Sequence, residues 1–258
     1  MFKGLFGKKK KKSAPSIPIE DLPPMLVDMH SHLLPGIDDG AQNLEESMEM
    51  IRRFADMGYK KLITTPHVMA DFYKNTTEGI LRKRDEVREA MAKEGIDIEL
   101  DAAAEYYLDE GLMKKLQNKE KLLTFGDNYL LFETSYMNAS ANLTQAVFMM
   151  QSQGYKPVLA HPERYTYWYG QFEEIEAIRD RGVHLQVNLM SFVGYYSRPA
   201  KDVADKIIDQ KMASFIGTDC HRSKHQDVLD KVRRSSGYAK AMQLPLLNNQ
   251  LLEKPATA

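Results

Sequence analysis

The chain has 258 residues, of which 43% are hydrophobic and 28% are charged, and its formal net charge is -1. These values are ordinary for a globular protein, and the charge argues against a general affinity for nucleic acid, which requires clustered positive charge. A single cysteine excludes an internal disulfide, and no stretch approaches the roughly 20 apolar residues of a membrane span.

The first residues differ in composition from the rest of the chain. Five consecutive lysines, Lys8 to Lys12, follow a short start that lacks the apolar region of a signal peptide. We expect residues 1–22 to form a basic, disordered tail. The alternative is weak contact of the lysines with an anionic membrane, each contributing about 1 kcal/mol. The expected location is therefore cytoplasmic or, under the alternative, peripheral at the inner face of the membrane.

An alternation of apolar residues predicts a first strand over residues 25–30, which leads into His30 and His32. Residues two apart in an extended chain face the same side, so the two imidazoles can converge on one point. Such a pair is a common beginning of a transition-metal site. Taken alone, it is equally compatible with two exposed loop histidines. Asp38 and Asp39 follow in a loop between glycines.

Helix and strand signals then alternate along the chain. Predicted helices run from Asn43 to Gly58, Thr76 to Gly95, Leu143 to Gln153, Phe172 to Arg181 and Pro199 to Lys211. Further strands are predicted at residues 61–66, 98–104, 129–132, 156–160, 184–188 and 213–217, and one or two more helices between 228 and 251. Seven strands alternating with helices predict a parallel sheet, and the regular repetition favours closure into a barrel. We interpret residues 23–252 as one domain and 253–258 as a tail.

Possible metal ligands stand where the predicted strands end: His30 and His32, His67, Glu105, Glu133, His161, Asp219 and His221. Strand carboxyl ends meet on one face of a barrel, so these residues are expected to converge, and Asp39 or Asp38 would reach the same face. Each alone is more often a structural residue, but their coincidence predicts a metal centre. The set is too large for one four-coordinate ion. Imidazole and carboxylate without thiolate suit manganese, iron or zinc, with manganese or iron slightly favoured.

The same residues lie in motifs that resemble the polymerase and histidinol phosphatase (PHP) superfamily. The motifs are Val27 to His32 with Asp38 to Gly40, Thr65 to His67, Ala104 to Glu105, Phe132 to Glu133, Leu159 to Tyr165, Gln186 to Asn188 and Gly217 to His221. Within the superfamily they look closest to bacterial capsule-locus or exopolysaccharide-locus metal-dependent protein tyrosine phosphatases. The resemblance implies an α/β fold, a distorted (β/α)7 barrel with a trinuclear metal site at the carboxyl ends of the strands.

The resemblance also implies how the ligands are shared among three ions. One ion would have His30, His32, Glu105 and Asp219, and Glu105 would bridge to a second ion held by Glu133 and His161. The third would take Asp39, His67 and His221. Arg164 matches a family arginine that grips phosphate. Arg222 and Lys224 compete for the place of a second basic residue, and Arg222 is our prediction.

The implied activity is hydrolysis of phosphotyrosine on a protein, with a tyrosine kinase of capsule or exopolysaccharide biosynthesis as the partner. Clustered divalent ions lower the pKa of a bridging water, give hydroxide at neutral pH and neutralise charge on a transferring phosphoryl group. The forked guanidinium of Arg164 matches two phosphate oxygens. Phenolate, with a pKa of about 10, needs less help from a general acid than an alkoxide does. The sequence identifies no such acid.

Several alternatives stay open at this point. Within the superfamily, the chain can also be a small-molecule phosphoesterase acting on a substrate like histidinol phosphate, or an exonuclease. A scaffold with a structural metal site is the non-enzymatic alternative. A thiol-based phosphatase is excluded because Cys220 has Gln226, not arginine, six positions later. The aromatic residues Tyr165, Tyr167, Trp168 and Tyr169 either form a lip for a substrate ring or pack their loop onto the barrel, and His184 is expected to be structural.

Overall fold

The structure is a computed structural model that describes residues 22–253. The predicted tails at 1–22 and 253–258 lie outside the described residues, apart from Leu22 and Glu253. Leu22 is buried in the core. Among the described helices, none is both long and apolar enough to cross a membrane.

Strands and helices alternate along the described part of the chain. The strands are β1 (Val27–Asp28), β2 (Lys61–Thr64), β3 (His67–Val68), β4 (Glu99–Ala102), β5 (Glu105–Tyr107), β6 (Tyr129–Glu133), β7 (Lys156–Ala160), β8 (His184–Asn188) and β9 (Ala213–Gly217). The helices are α1 (Leu44–Asp56), α2 (Thr77–Glu94), α3 (Glu110–Gln117), α4 (Leu143–Ser152), α5 (Phe172–Asp180), α6 (Arg198–Asp209), α7 (Ser223–Arg233) and α8 (Ser236–Ala241). Of these, α3 was not predicted.

The strands pair in parallel throughout, in the orders β1-β2-β4 and β3-β5-β6-β7-β8-β9. Two of the predicted strands are each followed directly by a second, short strand that was not predicted. Pro66, which has no N–H to donate, separates β2 from β3, and β4 ends three residues before β5 begins. His67 and Glu105 therefore open new strands instead of following the ends of old ones, and the two strands pair with His67 opposite Glu105.

The two sheets join into a closed ring. Ser31 and Cys220 form a parallel bridge just beyond β1 and β9. The N–H of His32 donates to the carbonyl of Cys220 at 2.9 Å, and the N–H of Asp219 donates to the carbonyl of His30 at 2.8 Å. These bonds bring the first and last strands together, so the fold is a distorted parallel α/β barrel, as expected.

The interior of the barrel is filled, and its amino end is closed. One buried apolar cluster contains Val27, Ile63, Leu131, Val158 and Phe215, which come from five different strands, together with Leu251. Leu251 belongs to a short 3₁₀ segment, Asn248–Glu253, that packs against β1. A larger apolar cluster lies between the strands and the surrounding helices. The barrel is therefore closed below and carries its polar groups at the carboxyl end.

Candidate metal centre

The nine residues predicted as ligands come together at the carboxyl end of the barrel. All are buried except Asp39 and His221, which are more exposed. Interatomic contacts connect every one of them to another member: His30, His32, Asp39, His67, Glu105, Glu133, His161, Asp219 and His221. Residues spread over nearly the whole sequence thus form one continuous cluster.

Four of these residues lie close together: His30 and His32 form one possible ion-binding triad with Glu105, and His30 forms another with Asp219 and His161. Nε2 of His30 lies 3.4 Å from Nε2 of His32. Oε2 of Glu105 lies 3.3 Å from the first nitrogen and 3.5 Å from the second. Oδ1 of Asp219 lies 3.5 Å from each of the two nitrogens. Neighbouring ligands of a tetrahedral ion at about 2.0–2.1 Å are about 3.3–3.4 Å apart, so these separations suit atoms that share an ion.

Hydrogen bonds behind this group orient the two imidazoles. Nδ1 of His30 lies 2.8 Å from Oε1 of Gln186, and Nδ1 of His32 lies 2.8 Å from Oδ2 of Asp38. Because Nδ1 faces an acceptor in both rings, Nε2 is left with its lone pair toward the centre, as in metal-binding histidines. Asp38 also accepts from the N–H of Gly40 at 2.9 Å. Asp38 therefore supports His32, and its neighbour Asp39 is the aspartate that reaches the cluster.

Glu105 is shared with a second group. Its Oε1 lies 3.1 Å from Nε2 of His161, which is also 3.7 Å from Oε2 of Glu133. Nδ1 of His67 lies 3.1 Å from Oε2 of Glu105 and 3.3 Å from Oε1 of Glu133. One Glu105 oxygen faces His161 while the other faces His30, His32 and His67, which is the arrangement a bridging carboxylate needs.

A third group of possible ligands lies around Asp39. Its Oδ1 lies 3.5 Å from Nε2 of His67 and 3.5 Å from Nε2 of His221. The ring of His221 stacks on that of His32, with the centroids 3.9 Å apart. His67 thus presents Nδ1 to Glu105 and Glu133 and Nε2 to Asp39. The structure brings it within reach of two groups, whereas the sequence prediction gave it to one.

Several polar atoms of the cluster have no hydrogen-bond partner. Among the described residues, Oε2 of Glu105, Nδ1 of His67 and Nδ1 of His161 are buried and unpartnered. Although burial opposes it, the His30 and His67 imidazoles hold the pKa of Glu105 well below its ordinary value. Buried polar atoms without a partner are costly, and an anionic carboxylate facing imidazole nitrogens is the donor set of a divalent cation. The residues therefore fit metal ions.

The backbone is strained or crowded at the same place. His161 and Asp219 have φ angles of 34° and 50°, a left-handed conformation that is unfavourable for residues with a side chain. A Cβ on Gly40 would lie 2.2 Å from the carbonyl oxygen of His32, and one on Gly217 would lie 2.8 Å from Cβ of His30. Glycine is therefore required at both positions for the two histidines to sit where they do.

A cavity of 280 Å³ opens beside the cluster. It is lined by Asp39, Arg164, Tyr195, Tyr196, Asp219, His221, Arg222 and His225. Of the two competing basic residues, Arg222 lines this cavity, whereas Lys224 lines a neighbouring one that Arg222 also borders. His225, to which the sequence assigned no role, reaches the cavity and accepts from the N–H of His221 at 3.2 Å.

Arg164 is held between two tyrosine rings. Its Nη1 donates to Oδ2 of Asp219 at 2.8 Å. Its guanidinium carbon lies 4.5 Å from the centroid of Tyr136 and 4.3 Å from that of Tyr196. Burial is the largest single influence and lowers the pKa of Arg164, but Asp219 together with Tyr136, Tyr196 and Glu163 raises it above its ordinary value, so the side chain stays charged. Contact with two rings and a carboxylate restricts the orientation of this planar cation.

The aromatic residues at the cavity are not those that the sequence singled out. Tyr165 is fully buried, and its hydroxyl donates to the carbonyl of Ala160 at 2.9 Å. Trp168 is also buried, so these residues pack their loop and the lip interpretation is wrong for them. Tyr195 and Tyr196 line the cavity instead. Their position in the loop after β8 was the available signal, because loops that follow strands border this face.

Two other residues lie as the sequence suggested. The thiol of Cys220 is buried, and burial raises its pKa, which agrees with excluding a thiolate nucleophile. His184 begins β8 at the amino end of the barrel, where its Nδ1 lies 3.0 Å from Oγ of Ser214. It lies away from the cluster and is structural.

Comparison with known proteins places this geometry in a family. The sequence profile of the capsular polysaccharide synthesis family CpsB/CapC matches residues 26–251. The chain belongs to this family. It is 27% identical over 200 residues to the tyrosine-protein phosphatase YwqE of Bacillus subtilis (strain 168), a match that covers 77% of this chain and 78% of YwqE.

Solved structures of similar fold agree with this assignment. One solved structure superposes with a TM-score of 0.77 at 25% identity. It comes from a study of YwqE from Bacillus subtilis and CpsB from Streptococcus pneumoniae, which that study describes as unique metal-dependent tyrosine phosphatases. The match covers 90% of this chain and 96% of that one. Histidinol phosphate phosphatase from Lactococcus lactis gives a TM-score of 0.54 at 10% identity, covering 85% and 94% of the two chains, and shares the fold.

Proposed function

We propose that this CpsB/CapC family member is a metal-dependent phosphatase that hydrolyses phosphotyrosine in proteins. The observation that carries the proposal is the buried cluster of imidazoles and carboxylates directly beside Arg164 and an open cavity. YwqE is a tyrosine-protein phosphatase, and the structure with the TM-score of 0.77 comes from work on metal-dependent tyrosine phosphatases. These relatives support the same activity here.

The cluster would hold divalent ions through the nine residues named above. We propose three ions, with Glu105 shared between two of them and His67 facing two groups. Imidazole and carboxylate ligands suit manganese, iron and zinc, and of these three metals we favour manganese. When bound, such ions lower the pKa of water and neutralise charge on a transferring phosphoryl group.

The protein's own side chains would position the phosphate. Nη1 of Arg164 donates a hydrogen bond to Asp219, and the other N–H groups of the guanidinium can donate to phosphate oxygens. Arg222 stands across the same cavity and adds a second positive charge. The cavity is open to solvent, so a phosphorylated side chain can enter it. The leaving phenolate has a pKa of about 10 and needs little protonation.

Substrate and metal should be tested together. The purified chain is stripped of metal and assayed with added manganese, iron or zinc on a phosphotyrosyl peptide, histidinol phosphate and single-stranded DNA. The proposal expects metal-dependent turnover of the peptide that exceeds turnover of the other two. Peptide turnover no better than that of histidinol phosphate or DNA would reject it, and turnover unaffected by metal removal would reject the metal role.

The role of Arg222 has a matched control in Lys224, which is nearby but does not line the cavity. Removing a charged group that binds phosphate costs roughly 1.5–3 kcal/mol, or about ten- to a hundredfold in KM. We expect Arg222→Gln to raise KM by this factor and Lys224→Gln to change it by less than about twofold. The reverse pattern would assign the role to Lys224.

The partner proposed for this activity is a tyrosine kinase of capsule or exopolysaccharide biosynthesis. Support comes from the family, which is one of capsular polysaccharide synthesis. The test is dephosphorylation of such a kinase, phosphorylated on tyrosine, compared with an unrelated phosphotyrosyl protein at equal concentration. Equal rates would argue against a dedicated partner.

We also propose, as the alternative to a solvated tail, that the lysines at positions 8–12 make weak contact with an anionic membrane from the cytoplasmic side. Co-sedimentation with anionic vesicles compares the full chain with one that begins at Ser13. Equal pelleting of the two chains would remove this proposal.

A further inference from the structure

Most of the exposed large apolar side chains of the described residues lie in loops that follow strands of the barrel. Among the described residues, four large hydrophobic side chains are exposed, namely Phe72, Met137, Tyr195 and Phe148. The first three lie in loops that follow β3, β6 and β8, and Phe148 lies in the middle of helix α4. Loops that follow strands border the carboxyl end of a barrel, which is where the metal cluster lies.

Each of the three loop residues stands next to an aromatic residue that faces the cluster. Tyr73, beside Phe72, stacks on the ring of His67 with the centroids 5.6 Å apart. Tyr136, beside Met137, lies under the guanidinium of Arg164, and its hydroxyl donates to Oε2 of Glu133 at 3.2 Å.

The third pair has the same arrangement. Tyr196, beside Tyr195, also lies against the guanidinium of Arg164. Its hydroxyl accepts a hydrogen bond at 3.0 Å from Nδ2 of Asn188. In each loop the inward residue is therefore fixed against the site, and its neighbour is left at the rim.

We propose that Phe72, Met137 and Tyr195 form an apolar rim that binds the polypeptide on either side of the phosphotyrosine. This inference rests on the proposed function, because the occupant is the protein substrate of that site. The rim is continuous with the catalytic cavity, since Tyr195 lines the cavity itself. Exposed apolar groups grouped around a site gain free energy when a partner covers them, and a small phosphate ester is too short to do so.

The rim predicts the class of substrate. Phe72 is 76% exposed and Met137 is 68% exposed, so both are available to a partner. A phosphotyrosine with apolar or aromatic residues nearby in its sequence would cover them, whereas a phosphotyrosine flanked by charged residues would not. The enzyme should therefore prefer phosphotyrosyl peptides with apolar flanking residues, both over peptides with charged flanking residues and over free phosphotyrosine.

The test compares Phe72→Ser/Met137→Ser with the wild type and with Phe148→Ser, which removes an equally exposed side chain from the outside of helix α4. All three proteins are assayed on a phosphotyrosyl peptide with apolar flanks and on p-nitrophenyl phosphate. We expect the ratio of kcat/KM for the peptide to kcat/KM for p-nitrophenyl phosphate to fall about tenfold in the double variant. Phe148→Ser should keep the wild-type ratio.

An unchanged ratio in the double variant, or an equal fall in Phe148→Ser, would overturn the inference. So would anionic vesicles that pellet the wild type but not the double variant, because the rim would then face a membrane. These outcomes differ from failure of the proposed function, in which the wild type itself would not hydrolyse the peptide.

Discussion

The carboxyl end of the barrel carries buried imidazoles and carboxylates, whereas the interior and the amino end are filled with apolar side chains. At the carboxyl end, His161 and Asp219 adopt left-handed backbone conformations, and Oε2 of Glu105 has no hydrogen-bond partner among the described residues. At the amino end, Phe215 and Leu251 are buried in one apolar cluster. The same strands supply both regions.

The difference indicates that the interior stabilises the fold, whereas the carboxyl end serves metal binding and activity. Strain, crowded glycines and unpartnered polar atoms each cost free energy, and they persist only when the surrounding structure holds them. Burial of apolar side chains in the interior offsets this cost. Substitutions at the carboxyl end should therefore change metal binding and activity, and substitutions in the interior should change the free energy of unfolding.

Glu105→Gln should have the largest effect. Glu105 contacts four of the cluster's histidines, and a neutral amide cannot bridge two cations. We expect kcat/KM for a phosphotyrosyl peptide to fall on the order of a thousandfold and bound metal to decrease. Elemental analysis and steady-state kinetics measure both. A variant that keeps full metal content and activity would show that Glu105 is not a ligand.

Phe215→Ala tests the opposite region. Phe215 is fully buried in the barrel interior, and removing such a ring costs about 3–5 kcal/mol of unfolding free energy. Its activity per folded molecule should stay near that of the wild type. Phe148→Ala is the matched control, because Phe148 is 69% exposed and its loss should change stability by less than about 0.5 kcal/mol. Equal destabilisation by the two variants, in urea titrations, would contradict this account of the core.

Gln186→Leu should have a smaller effect that appears in metal affinity. Gln186 holds Nδ1 of His30 at 2.8 Å, and loss of such a support typically costs about ten- to a hundredfold in metal affinity. His184→Gln is the control at the other end of the same strand. Manganese titration should separate the two variants. Identical affinities would mean that Gln186 does not orient His30.

Much of the fold could be predicted from the sequence because its helices have clear ends. Asn43 caps α1 by accepting from the N–H of Glu46, and Gly95 ends α2 in a left-handed conformation, as their positions suggested. Helix α3 was missed because it is short, although Asp109 caps it and Leu112 and Leu116 are buried. The break between β2 and β3 coincides with Pro66, which the sequence shows, whereas no local pattern predicts the break between β4 and β5.

Most members of the cluster could be located from the sequence because they lie at or just beyond the ends of the predicted strands. The way in which these residues form separate groups could not be predicted, because it depends on the directions of the side chains. His67, for example, presents Nε2 to Asp39 and Nδ1 to Glu105. The choice of Asp39 over Asp38 depends on the bond from Asp38 to His32. Tyr136 and Tyr196 were missed because contact with Arg164 joins loops distant in sequence.

The most direct test of metal-dependent phosphotyrosine hydrolysis at the carboxyl end is a titration of metal-stripped protein with manganese. Bound manganese and turnover of a phosphotyrosyl peptide are measured in the same samples. We predict that the stripped chain is inactive and that activity rises with occupancy to a maximum near three ions per chain. Undiminished turnover by the stripped chain, or full occupancy with no turnover, would contradict the account.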